Sequence, residues 1–207
     1  MRTSLRFASA CAAALLITPA VGLAHFKLLE PASAIVENER GDPQKAEPCG
    51  GDGKGPGTPS GVVNKATGGS KIHLKVMETI YHPGHYRVAL AVNDRTELPQ
   101  DPVTTTRETE KGPYSTWAVI QSPAQLPVIA DGLFPHYKRP AAPQTFETDV
   151  ELPNISCERC TLQIIQFMAE HGYNKPGGYS YHHCADFQIT ADTSKPLDKG
   201  WPAAAAK

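Results

Sequence analysis

The stretch Tyr81-His82-Pro83-Gly84-His85-Tyr86-Arg87-Val88-Ala89-Leu90-Ala91-Val92 decides how this chain folds. From Tyr86 on, the larger apolar residues Tyr86, Val88, Leu90 and Val92 alternate with Arg87, Ala89 and Ala91. A period of two puts the first set on one face of a β-strand. The His-Pro-Gly that precedes it reads as a turn, because proline fixes its own φ and glycine permits a sharp bend. A turn of this kind presents its imidazole rigidly at the end of a sheet.

Working outward, the same period recurs. Ile72, Leu74 and Val76 alternate with Lys71, His73 and Lys75, and further strand-like runs cover 116–121, 146–152, 161–168 and 179–190. Asn93-Asp94, Gly112-Pro113, Pro153-Asn154 and Pro176-Gly177-Gly178 separate them as turns. Short alternating strands with Pro/Gly-rich connections predict an all-β fold, an immunoglobulin/fibronectin-like antiparallel β-sandwich with long loops. Residues 31–69 are one long Gly/Pro-rich loop, and the proline-rich segment 124–143 reads as a surface loop.

The first 24 residues have the parts of a secretion signal: Arg2 and Arg6, an apolar run around Leu15-Leu16-Ile17, and small Gly22 and Ala24 before a cut. Removing 24 residues from 207 leaves 183, enough for one domain over 25–191, with a disordered tail over 192–207. The expected location is secreted or periplasmic. Loss of Arg2 and Arg6 takes the net charge from −1 to −3, which predicts neither a nucleic-acid nor a membrane partner. Cys49, Cys157, Cys160 and Cys184 remain, an even set that predicts two disulfides in an exported chain, with three connectivities open.

Cleavage after Ala24 would make His25 the first residue. A terminal histidine chelates a metal through its α-amine and Nδ1, and one further imidazole completes a planar set of three nitrogens suited to Cu(II). Candidates for that imidazole are His82 and His85, flanking the Pro-Gly turn, and His183 in Tyr181-His182-His183-Cys184-Ala185-Asp186. In a strand, Tyr181 and His183 share one face, while His182, Cys184 and Asp186 share the other. His73 reads as solvated, and His136 as a loop residue without a visible partner.

An N-terminal histidine, a His-Pro-Gly turn entering a strand, and a last strand with Tyr-x-x-Cys-Ala together resemble the lytic polysaccharide monooxygenases. The closest likeness is to bacterial exported polysaccharide monooxygenase-like proteins, from His25-Phe26 to Asp186-Phe187-Gln188-Ile189. The resemblance implies one copper ion in a histidine brace, held by His25 and His82, with Tyr181 axial. It implies Cys49–Cys184 and Cys157–Cys160 disulfides, and polar groups beside the metal among Gln166, Glu170 and His171. It implies oxidative cleavage of a glycan such as chitin or cellulose by a monomer fed by an external electron donor. Asp186 stands where fungal enzymes have glutamine. An alternative within the resemblance is therefore a non-catalytic protein of copper uptake or delivery, its coordination filled by His85, His183 or Asp186. A third reading is an exported β-protein whose histidines bind nothing.

Overall fold

The computed structural model describes residues 25–203. The expected secretion signal over 1–24 lies outside the described residues. The described chain is all-β with one short 3-10 turn, and no helix in it is long and apolar enough to cross a membrane.

Three strands form one antiparallel sheet: β1 (His25–Glu30), β3 (Lys71–Ile80) and β8 (Gln144–Glu151), in the order β1-β3-β8. Five form a mixed sheet in the order β2-β10-β9-β4-β7: β2 (Val63–Thr67), β4 (Gly84–Ala91), β7 (Val128–His136), β9 (Cys157–Met168) and β10 (Ser180–Thr190). Only β2 runs parallel to its neighbour, β10. A small ribbon joins β5 (Thr104–Arg107) to β6 (Tyr114–Ala118).

One apolar core takes residues from both sheets: Phe26, Leu28, Leu74, Val76 and Val150 from the first, and Tyr86, Val88, Leu90, Leu162, Ile164, Tyr181 and Phe187 from the second. The period-two phase of each strand is therefore the phase of burial. Phe26 fixes the start of β1. It is fully buried and meets Tyr86 edge-on at 5.2 Å and His183 at 4.7 Å. Burying such a ring contributes about 1.5–3 kcal/mol, so His25, one residue earlier, is held against the core.

The other face of the large sheet is buried too. His85, Arg87, Ile165, Phe167 and His182 lie on it, all at most 3 % exposed. The loop over 31–61 is tied to this sheet by the Cys49–Cys184 disulfide. A second disulfide joins Cys157 to Cys160 at the start of β9.

Three expectations change. Segment 124–143 is not all loop, because it contains β7. Residues 63–67, read as part of the first long loop, form β2. Residues 192–201, read as part of a disordered tail, pack on the fold. Asn154 Nδ2 donates to the carbonyls of Asp192, Lys195 and Pro196, the Asn154 amide donates to Asp198 Oδ2, and Trp201 packs on the core.

Candidate metal centre

One end of the two sheets gathers the residues on which the sequence reading turned. His25 opens β1 opposite Ile80, at the end of β3. Two residues further, His82 starts the turn into β4. On β10, Tyr181 pairs with Gln166 of β9, which in turn pairs with Tyr86 of β4.

His25 is 2 % exposed, and its Nε2 lies 3.1 Å from Asp42 Oδ1. That contact orients the ring and leaves Nδ1, the atom a terminal chelate needs, buried without a partner. A carboxylate on the remote nitrogen is the arrangement that orients metal-binding histidines. Asp42 reaches this position because Gly41, at φ +98°, lies against the Phe26 carbonyl, where a Cβ would sit 1.9 Å from the oxygen. The Phe26 amide donates to Gln44 Oε1 at 3.0 Å, which fixes the backbone beside it.

His82 is buried, with Nδ1 unpaired. Burial, together with the neighbouring His171, pushes its pKa down to about 3, so the ring is neutral and available as a ligand at ordinary pH. Its ring centroid lies 4.6 Å from that of His171, whose Nδ1–H donates to the Gly172 carbonyl. The Tyr181 ring lies 5.4 Å from that of His25. Its Oη is buried with no well-formed hydrogen bond, the Asn174 side chain being its polar neighbour, and burial raises its pKa to about 12, so it is a neutral phenol.

Glu78 ties the turn together. Its side chain is 1 % exposed, and its Oε1 accepts from the His82 amide at 2.9 Å, Gln166 Nε2 at 2.7 Å and His136 Nε2 at 3.1 Å. Burial alone would lower the His136 pKa, but the bonds to Glu78 and to the Phe134 carbonyl raise it. His136 is thus no isolated loop residue. It ends β7 opposite Gly84.

The remaining candidates point elsewhere. His85 lies on the opposite face of β4, packed on Phe167 at 5.2 Å. His183 shares the inner face with Tyr181, but its Nε2 bonds the Phe26 carbonyl at 3.1 Å and its Nδ1 lies 3.4 Å from Glu37 Oε1. Asp186 is on the outer face and pairs with Arg95 at 3.0 Å, in a charged cleft of about 480 Å³ that also contains Arg159 and Glu158. Glu170 pairs with Arg107. His73 lies between Asp149 and Glu147 on the surface, as a solvated histidine should.

The structure thus brings together His25, His82, His171, Gln166 and Tyr181. It adds Asp42, Gln44, Glu78 and His136, which the sequence reading missed. Glu78 left a trace: it continues the buried phase of Leu74 and Val76, where a lone carboxylate requires a polar purpose. Asp42 left none.

No family model matches the chain, and neither a curated protein nor a solved structure is found to match it.

Proposed function

We propose that the chain is an exported copper protein of the lytic polysaccharide monooxygenase type, built on an immunoglobulin/fibronectin-like β-sandwich. One observation carries the reading: at a single end of the fold, His25 Nδ1, His82 Nδ1 and Tyr181 Oη are all buried with no well-formed hydrogen bond. Buried polar atoms are ordinarily satisfied. Three such atoms at one end, two of them imidazole nitrogens, suit a metal site better than a finished core. The donor set suits copper, with three nitrogens from the His25 amine, His25 and His82 and a phenol alongside.

Each residue then has a task. Asp42 holds the His25 ring through Nε2 and leaves Nδ1 for the metal. Glu78 holds the His82 backbone, and so the place of its ring. Tyr181 stays protonated and contributes a weak neutral oxygen at most. Gln166 keeps Oε1 unpaired while Glu78 binds its Nε2, which leaves one acceptor fixed inside the site. Copper bound there would supply the one-electron and oxygen chemistry, with an external reductant, for attack on a glycosidic C–H bond. Tyr173, 58 % exposed and edge-on to Tyr179, stands two residues after His171 and is the candidate sugar-stacking ring of this reading.

The uptake-or-delivery reading needed extra ligands from His85, His183 or Asp186. His183 is engaged by the Phe26 carbonyl and Glu37, Asp186 by Arg95, and His85 lies on the opposite face of β4, which weighs against it. The deciding experiment uses protein beginning at His25 and loaded with one copper, incubated with ascorbate and limiting peroxide on chitin, cellulose and other glycans. Oxidised oligosaccharides in the mass spectrum, absent with His82→Ala, are the expected result. Tight copper binding with no oxidised product on any glycan would reassign the protein to copper handling.

A further inference from the structure

We propose that Glu47, Asp101 and His182 form a second cation site, for a first-row divalent ion such as Zn(II), on the outer face of the five-stranded sheet. This site does not depend on the brace. His182 projects from β10 away from Tyr181 and His183, so the two centres lie on opposite faces of one strand.

The three side chains come from separate segments, each tied to the sheet. His182 belongs to β10, and its backbone amide donates to the Gln44 carbonyl at 2.8 Å. Asp101 follows Gln100, whose carbonyl accepts from Arg87 Nη2 at 2.9 Å. Glu47 precedes Pro48 and Cys49; the Pro48 carbonyl accepts from Gln163 Nε2 at 2.8 Å, and Cys49 is bonded to Cys184. Ligand atoms of the three lie within 4.8 Å of one another. Two ligands at about 2.0–2.2 Å from a shared ion lie roughly 3.2–4.4 Å apart, so shifts of about half an ångström close the set. Asp101 Oδ1 already stands 2.8 Å from His182 Nε2.

Two observations favour an ion over a finished hydrogen-bond network. The His182 side chain is 0 % exposed, yet its second nitrogen is unpaired. Asp101 Oδ2 is buried and unpaired as well. The charges agree. Arg87 faces the cluster from β4 and also feels Asp131 of β7. Arg87 interacts first with Asp101 and then with Asp131 and Glu47, so one cation stands against three carboxylates, which leaves negative charge for a divalent ion to balance. Glu47 itself is exposed, so an ion has a way in from solvent. One nitrogen with two carboxylate oxygens suits zinc or manganese better than calcium or magnesium, which favour all-oxygen sets. The site would clamp the Gly/Pro-rich loop onto the sheet beside its disulfide.

The test uses full mature protein carrying His82→Ala, so that the brace is disabled, and Zn(II) as the probe. Equilibrium dialysis with elemental analysis should show one Zn(II) per chain. Glu47→Gln, on the surface, and Asp101→Asn, of matched shape, should each weaken that binding at least tenfold. In the otherwise unaltered chain, Glu47→Gln should leave Cu(II) affinity within twofold. Zn(II) should raise the thermal midpoint of His82→Ala protein but not that of the double variant with Glu47→Gln. Absence of zinc uptake by His82→Ala protein, or uptake that Glu47→Gln leaves unchanged, would overturn the proposal.

Discussion

Removing the Glu78 carboxylate should cost far more than its single negative charge suggests. Glu78→Ala leaves three buried donors without an acceptor: the His82 amide, Gln166 Nε2 and His136 Nε2. Each unsatisfied neutral donor costs about 1–3 kcal/mol. Breaking a buried charged pair costs about 3–5 kcal/mol. Water entering the space left by the side chain would restore some bonds, so we expect a loss of about 3–5 kcal/mol for Glu78→Ala. Glu78→Gln keeps the volume and one acceptor oxygen, and should lose about 1–2 kcal/mol. Urea unfolding of the metal-free protein reads both values, with an unchanged slope showing that the shift is in stability. A second readout is independent of stability. In Glu78→Gln, burial is the largest remaining influence on His136, so its pKa should fall from above the ordinary histidine value to below it. NMR titration of the ring follows this directly. Glu78→Ala within 1 kcal/mol of the parent, or a His136 pKa that stays raised, would refute the three-donor account.

Further outcomes follow from the same geometry. Gly41→Ala places a methyl against the Phe26 carbonyl and forces a left-handed φ on alanine, so Asp42 should leave His25. Copper affinity should drop about 10–100-fold, as for lost outer-shell partners, measured by competitive titration; unchanged affinity would separate Asp42 from the site. Replacing Cys49 and Cys184 by alanine opens a link across 135 residues. The chain-entropy model gives a loss of about 5 kcal/mol, read by denaturation, and a loss below 1 kcal/mol would contradict it. Glu37 and His183 oppose one another in acid. Burial raises Glu37 to about 7, so its contribution grows as pH falls from 7 towards 4.5. Burial lowers His183 to about 4, so its contribution is lost as pH falls from 6.5 through 4. Glu37→Gln leaves the second loss unopposed, and the variant should fall about 3 kcal/mol further than the parent between those limits. Parallel stability–pH profiles would show that the two groups do not titrate as described.

Much of the fold was legible because burial follows the period of two. Tyr86, Val88 and Leu90 announce β4, and Tyr181, His183, Ala185 and Phe187 sort onto the inner face of β10 as alternation requires. That alternation also separates Asp186 from Tyr181. The strand β7 escaped notice because Pro127 and Pro135 read as loop residues. It is an edge strand of its sheet, where a missing amide donor is tolerated. His136 was lost with it. Residues 63–67 were hidden for a different reason: β2 is a short edge strand whose side chains are exposed or half-buried, so it carries no strong apolar alternation. Within the candidate site, His25 could be named from sequence because a terminal histidine is a distinctive chelate, and His82 and Tyr181 only through the family resemblance. Asp42 could not, since only the close approach of Gly41 to Phe26 brings it to His25. Nor could the choice between His82 and His85 be made, because it depends on which face of β4 each ring takes after the Pro-Gly turn.

The central claim is that His25, as a free N-terminus, and His82 bind one copper between them. The most direct measurement compares Cu(II) affinity and the electron paramagnetic resonance spectrum of protein beginning at His25 with those of protein retaining Ala24. An amide in place of the amine removes one of the three nitrogens, so the account predicts a nitrogen-rich axial spectrum for the first protein and sharply weaker binding with an altered spectrum for the second. Equal affinity and identical spectra in the two proteins would contradict it.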